Sequence, residues 1–392
     1  MKPVMTDSQS KQIQRSYKFR IYPNATQRKQ LAECFGIARF TYNLSLDAIS
    51  TGYRDQGQNF AAIDCSRAIT ELKKEPEYSW LNNVSRSVIT IALRNLDSGF
   101  KNFFAGRAKY PKFKKKLNKQ SASFQLMQQH NNWIAGEMLR LPKVGFIKVR
   151  WSRIPSGRPK TATVTRTETG KYFVSMSIAE EVKALPRTGK YCGVDVGIKD
   201  LAVTQDWKSE APKYTQKYAR DLRIAQRRLS RKQKGSKRWQ HARIKVARIH
   251  EKITNSRADF VHKVSSHIVK SHDAIAIETL NVKGMLKNRS LAKAISDAAL
   301  GEMHRQLEYK SQWYGREFGK CDQWEPTSKA CSDCGEINAD LKLSDREWTC
   351  VCGVTHDRDE NASINILNAV FGGSVELADV EPVVNGGCNV AA

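Results

Sequence analysis

Long apolar runs are missing from this 392-residue chain. No stretch approaches the roughly 18 apolar residues that a membrane-spanning helix needs, so no span is expected. The opening residues, MKPVMTDSQSKQIQRS, contain no apolar core and read neither as a secretory leader nor as an anchor. Cysteine is sparse and shows no pairing rhythm. There are nine, an odd number, with four between Cys331 and Cys352 and the rest (Cys34, Cys65, Cys192, Cys321, Cys388) scattered. That distribution argues against a disulfide framework and suits a reducing, cytoplasmic setting. Acid is also short: 39 Asp and Glu face 66 Lys and Arg, a net charge of +27. So basic a chain calls for a polyanionic partner. The alternative, a basic surface with no partner, is weakened by clustering, since residues 217–252 hold fourteen Lys or Arg against two acids.

What is present is enough for several cores, with 40% hydrophobic residues over a length that suits two to four modules. Tyr17–Pro23 alternates and stops at proline, as a strand does, and Asn24-Ala-Thr-Gln opens a helix. Helices are expected near 61–73 and 83–104, followed by the lysine run KYPKFKKKLNK, in which Tyr110 and Phe113 interleave. That mixture suits phosphate contact with stacking, or else a solvated loop. Residues 121–179 are β-rich, with a hairpin turn at Thr167-Glu-Thr-Gly, and read as a small barrel. From Gly189 the pattern becomes α/β. Two strands lie within KYCGVDVGIKDLAVT, and a helical hairpin over 218–270 turns at Lys234-Gly-Ser. A buried strand DAIAIETL, a helix over 292–313, a strand FGKCDQWEP and a last helix over 361–370 follow.

Three acidic positions stand out. Asp195 lies inside an apolar strand, Glu278 ends another, and Asp357 and Asp359 begin the last helix. A carboxylate within a buried strand is costly unless it is paired or bound to a cation. Each could be a satisfied structural acid alone; together they resemble the layout of RNase H-like nucleases around two Mg2+ ions. Just before the last helix comes a metal-knuckle pattern, Cys331-x-x-Cys334 with Cys350-x-Cys352, whose return half is one residue short. It reads as a structural Zn2+ site, with His356 as a possible substitute ligand, or as a metal-free turn.

The stretches YKFRIYPNATQ, WLNNVSRSVITIALRNLDSGFKNFF, YPKFKKK, GVDVGIKDLAV, LSRKQKGSKRW, ISDAALGEM, RQLEYKSQWYG and CSDCG with HDRDENASINIL resemble, in order, the TnpB (OrfB) family of transposon-encoded RNA-guided DNA endonucleases, relatives of type V CRISPR effectors. The resemblance spans residues 17–367. It implies an α/β multi-domain fold: a β-barrel wedge domain (1–24 and 120–184) interrupted by a helical recognition insertion (25–119), then a RuvC-type RNase H-like nuclease (185–324 and 355–372) carrying a zinc-finger-like insertion (325–354). Residues 373–392 read as a disordered tail. The nuclease triad falls on Asp195, Glu278 and Asp359, which would hold two Mg2+ ions, while Asp357 and Arg358 shape the turn. Cys331, Cys334, Cys350 and Cys352 would hold one structural Zn2+, and the finger would load the target strand.

A guide RNA from the transposon end and double-stranded target DNA are the implied partners, at the nucleoid when DNA is bound, with no membrane. Backbone contacts are expected at Lys112, Lys114 and Lys115 and at Arg227, Arg231, Lys234, Lys237 and Arg238 on the hairpin. A polar stripe of Asn83, Arg86 and Thr90 could read base edges of a short adjoining motif, with Ser121–Gln129 on the same duplex, or could be a solvated helix face. Hydrolysis at that motif is the leading expectation. An RNA-guided DNA-binding regulator without nuclease activity is the alternative, disfavoured because all three acids are kept. A strand-transfer transposase fits less well.

Overall fold

A computed structural model describes residues 10–57, 61–117, 119–126, 133–155, 157, 159–342 and 345–372. The chain divides into two compact units near residue 181. The expected tail 373–392 and the 127–129 part of the expected DNA-contacting segment lie outside the described residues.

The first unit begins with strand β1 (Ser10–Tyr22), which leads into helix α1 (Ala25–Gln56). Asn24 caps that helix: its side chain accepts from the Gln27 N–H, and the Gln27 side chain accepts in return from the Asn24 N–H, a reciprocal capping box. Helix α2 (Ala62–Leu72) and a 3-10 helix (Pro76–Asn83) precede α3 (Arg86–Phe104). The third helix therefore starts three residues later than its apolar spacing suggests. Asn83 ends the 3-10 helix and does not extend the stripe of α3.

Strands β2 (Gln120–Gln125), β3 (Ile134–Ala135), β4 (Met138–Leu141), β5 (Gly145–Arg150), β6 (Thr161–Arg166) and β7 (Tyr172–Lys183) complete the unit. They join β1 in one seven-stranded sheet of order β2-β6-β7-β1-β5-β4-β3. The β6–β7 hairpin turns where the sequence indicates, with Gly170 at φ 80° and the Thr167 N–H donating to the Lys171 carbonyl at 2.8 Å. Buried residues of the sheet (Phe19, Ile21, Phe124, Ile147, Val174) and of the helices (Leu31, Phe35, Val88, Leu93) share one apolar core.

The second unit is built on β8 (Tyr191–Val194), β9 (Asp200–Val203) and β10 (Lys208–Glu210). A short helix α4 (Tyr214–Lys217) leads to the helical hairpin α5 (Ala219–Ser230) and α6 (Lys237–Ser271). The hairpin reverses at Gly235, φ 89°, and Ser236 caps α6 through the Trp239 N–H. Strand β11 (Ala274–Ile277), the short α7 (Val282–Met285), α8 (Ala292–Ala298), α9 (Leu300–Tyr314) and β12 (Glu317–Lys320) follow. The single helix expected over 292–313 is two helices, broken at Ala299, whose φ of 58° ends one and starts the other. A small hairpin β13 (Glu347–Thr349) and β14 (Thr355–Asp357) precedes the last helix α10 (Arg358–Phe371).

Strands β12, β11 and β8 are parallel neighbours, and the pair Asp195↔Val203 continues β8 antiparallel to β9, which pairs with β10. The order across this core is thus β12-β11-β8-β9-β10. Alternate side chains face opposite ways in a strand. Cys192, Val194, Ile275 and Ile277 join the core with Val264, Ile268, Met303 and Leu307 of α6 and α9. The other face bears Gly193, Ala276 and Gly319, which are register partners across three strands. Helix α10 lies on that row. A Cβ on Gly193 would collide with the Ser363 carbonyl oxygen and stand 2.8 Å from the Leu367 nitrogen, and one on Gly319 would collide with the Val370 side chain.

Candidate active site

The parallel register assembles two of the three acids. Val194 pairs with Ile277, so the next residues, Asp195 and Glu278, emerge side by side from the ends of adjacent strands. Burial, and then the neighbouring charge of Asp359, pushes the Asp195 carboxyl up, against the pull of Arg358 and Arg346. Burial and the charge of Asp195 likewise push Glu278 up. A site that resists its own negative charge in this way is suited to holding a cation. The oxygen-only donor set fits Mg2+, which prefers carboxylates.

The third acid arrives on α10. Asp357 is the N-cap: its Oδ1 accepts from the N–H groups of Asp359 at 2.9 Å and Glu360 at 3.1 Å. That consumes Asp357 in ending the strand and starting the helix, as expected, and leaves Asp359 one residue inside the first turn. The Asp359 carboxylate is held by Arg358, whose Nη2 and Nε donate to Oδ1 at 2.9 and 3.2 Å, and by Arg346, whose Nη1 donates to Oδ2 at 2.8 Å. Neither arginine contact is visible in residue spacing. The strand pair Glu347↔Asp357 creates the second one by bringing residues thirteen apart face to face.

Between β12 and α10 the four cysteines converge. Their sulfurs all lie within 4.8 Å of one another, with Cys331–Cys352 at 3.8 Å and Cys334–Cys350 at 3.5 Å. Four thiolates about 2.3 Å from one Zn2+ would stand roughly 3.8 Å apart, so the donor set fits. The short Cys350-x-Cys352 half still turns, because Gly353 at φ 92° follows it and its N–H donates to the Cys350 carbonyl at 2.9 Å. Gly335, φ 80°, does the same for the first half. His356 is outside the four-sulfur group. Its Nε2 stands 3.1 Å from Cys331 Sγ, and its ring packs on Trp348. Burial favours the neutral Cys331 thiol, but backbone N–H donors from Cys334 and Asp333, with His356, bring it down to about 6.

Two asparagines fasten this finger to α10. Asn361 donates to the Ala330 carbonyl at 2.7 Å and accepts from the Ser332 N–H at 2.9 Å, and Asn365 donates to Thr327 and Ala330 carbonyls at 2.8 and 2.7 Å. We expect about one zinc per chain in EDTA-washed protein by elemental analysis. A ratio near zero in protein with an unchanged melting temperature would show that the finger folds without metal.

The expected backbone-contact residues divide. Arg227, Arg231, Lys234, Lys237 and Arg238 are exposed on the α5–α6 hairpin, and Lys112 and Lys115 are exposed in the lysine run. Lys114 is exposed as well, and it also makes contacts within the chain. Its Nζ sits 3.8 Å from the Tyr42 ring centroid, its backbone is held by Asn43 on both sides, and burial lowers its pKa. On α3, Arg86 is exposed and Thr90 is half-buried, its hydroxyl donating to the Arg86 carbonyl at 3.2 Å.

Comparison with known proteins places these features in context. The OrfB family model, described as "Probable transposase", matches residues 173–289, and a model described as "Cas12f1-like, TNB domain" matches residues 301–366. A helix-turn-helix domain model matches residues 11–58, where this structure has a strand and one 32-residue helix. A Streptomyces pristinaespiralis protein provisionally named an RNA-guided DNA endonuclease is 40% identical over 361 residues, covering 91% of this chain and 90% of its own. InsQ of Escherichia coli (strain K12), under the same provisional name, is 31% identical over 391 residues, with 95% of both chains covered. Among solved structures, the Cas12f1–sgRNA–target DNA complex contains a chain similar in fold at a TM-score of 0.56, over 91% of this chain and 99% of that one, with 14% identity.

Proposed function

We propose, on the premise that this chain belongs to the TnpB (OrfB) family, that it is an RNA-guided endonuclease that hydrolyses DNA beside a short motif read by the protein. The observation that carries the reading is that Asp195 and Glu278 leave adjacent strand ends side by side, while Asp359 sits in the first turn of the helix packed on that sheet, near enough for its charge to push Asp195 up. Unlike the four sulfurs, the three carboxylates are not all drawn within 4.8 Å of one another. The strand order β12-β11-β8-β9-β10, with the acids at those three places, supports an RNase H-like, RuvC-type core. A bound pair of Mg2+ ions would supply an activated water and a stabilised leaving oxygen. The chain's own part is to fix the acids. Parallel register aligns Asp195 with Glu278, the small row Gly193–Ala276–Gly319 seats α10, and the Asp357 cap orients Asp359. The seven-stranded sheet with its helices would form the wedge and recognition parts, with Arg86 the foremost candidate for reading the motif.

Sequence specificity would come from pairing between guide RNA and one DNA strand, with the protein gripping backbone. The test is to purify the protein with its bound RNA, sequence that RNA, exchange its 3′ segment for a chosen guide, and challenge it with a plasmid library in Mg2+. Cutting only of plasmids matching the new guide is the expected result. Cutting that ignores the guide, or protein that retains no RNA, would overturn the reading.

The exposed hairpin cations make a separate prediction. Replacing Arg227, Arg231 and Lys234 together with Gln should weaken RNA binding and lower the slope of log K against log salt by roughly 0.7 to 0.9 per lost contact. The preferred DNA motif should stay the same in a library-depletion assay. A changed motif at an unaltered slope would move sequence reading onto the hairpin.

A further inference from the structure

The contact between Arg346 and Asp359 joins the finger to the acid cluster, and the reaction just described does not use it. Arg346 lies between Cys334 and Cys350, at the foot of β13. Its carbonyl accepts from the Arg358 N–H at 2.7 Å, and its guanidinium takes Asp359 Oδ2 at 2.8 Å. The other oxygen, Oδ1, is taken by Arg358. Both oxygens of the helix-borne acid therefore carry an arginine. The two partners differ. Arg358 is adjacent in the chain and only 13% exposed, whereas the Arg346 side chain is 45% exposed and reaches the acid from the finger.

A divalent ion bound to a carboxylate oxygen stands about 2.0–2.1 Å from it. A guanidinium donating to the same oxygen would then be only a few ångströms from the ion, and like charges at that distance repel. We propose that Arg346 is a latch: it occupies Asp359 while the site holds no metal and must leave as metal binds, so the finger's arginine and the metal compete for one oxygen. By linkage, anything that draws the Arg346 guanidinium away raises metal affinity by the same factor. DNA backbone phosphate is the chemistry that can do so, because the arginine fork matches phosphate as well as carboxylate. Metal loading would thereby follow arrival of a strand at the finger.

This inference rests on reading Asp359 as a metal ligand. The test titrates Mn2+ into full-length, zinc-loaded, RNA-free protein, with free Mn2+ followed by its EPR signal. Arg346→Gln should tighten the strongest Mn2+ site by roughly threefold to tenfold, since a half-exposed pair is lost. Asp195→Ala should abolish that site. If Asp195→Ala leaves Mn2+ binding intact, the metal-centre reading itself fails, and the latch with it. If Asp195→Ala abolishes binding but Arg346→Gln leaves affinity unchanged or weaker, the latch alone fails. Zinc content of one per chain verifies the fold of each variant. Should the Gln variant lose zinc, Arg346→Lys, which gives up the forked donors, decides by the same titration: tighter binding supports the latch and unchanged binding rejects it.

Discussion

Alanine at Asp195, Glu278 or Asp359 should stop DNA cutting, with a rate loss of about 10² to 10³ or more for each, while RNA-guided binding of target DNA stays near its native strength. The asymmetry follows from where the energy resides. Stabilisation of the developing charge is concentrated in a few groups, and losing one such group costs about that much. Affinity for nucleic acid is spread over many cations that these changes leave alone. Asp357→Ala makes the internal control. Its carboxylate accepts the Asp359 and Glu360 N–H groups, so its loss removes a helix cap, about 1 kcal/mol, and should slow cutting far less. The paired measurement is plasmid cleavage beside filter binding. A dead Asp357→Ala with an active Asp359→Ala would reverse the assignment.

Gly193→Ala should inactivate the nuclease nearly as fully without touching an acid. A Cβ there collides with the Ser363 carbonyl and presses on the Leu367 nitrogen, both backbone atoms of α10. A flexible side chain could turn aside, but helix backbone can only shift as a body. Overpacking of this kind costs about 1–3 kcal/mol or more. The shift also carries Asp359 away from Asp195, and a displacement of about 1 Å costs on the order of 10²-fold in rate. The expected results are a lower melting temperature and loss of cutting together. Gly301→Ala provides the contrast: on α9 the nearest atom to its Cβ is Val282 Cγ1 at 3.9 Å, so it should stabilise by about 0.5–1 kcal/mol and leave cutting unchanged. A Gly193→Ala protein that melts and cuts like the native one would show that α10 has room the geometry denies it.

Much of this arrangement was legible in residue order because local chemistry announced it. Asn24 and Gln27 sit at capping-box spacing, Gly235 marks the hairpin reversal, and an acid inside GVDVG is conspicuous against its apolar neighbours. The misreadings share a cause, which is dependence on contacts remote in the chain or on backbone that side chains do not advertise. Apolar spacing runs on through Ala299, and an alanine gives no warning that it will adopt a left-handed conformation, so α8 and α9 read as one helix. Remote contacts are equally silent in residue order: nothing in the lysine run shows that the Tyr42 ring, 72 positions away, stands beside the Lys114 ammonium. The same holds for Arg346, whose partner is set by a β-ladder of three residue pairs. Asn83 was misplaced because the 3-10 turn before α3 carries similar polar and apolar spacing.

The asparagine ties between α10 and the finger have a consequence for how this chain can change. Asn361 and Asn365 hold the entering segment of the insertion, Thr327 to Ser332, against the first two turns of the helix, and the exit strand β14 ends at the first turn of that helix. Entrance and exit are therefore anchored at one end of a single helix. Lengthening a loop between such fixed points costs only about 0.6 kcal/mol per doubling. The insertion should accept grafts and deletions between Asn338 and Arg346, both retained, with little loss of core stability, provided the two asparagines and the carbonyls they grip are kept as well. Diversity in what the nuclease engages can accumulate there while the cutting centre beneath keeps its shape.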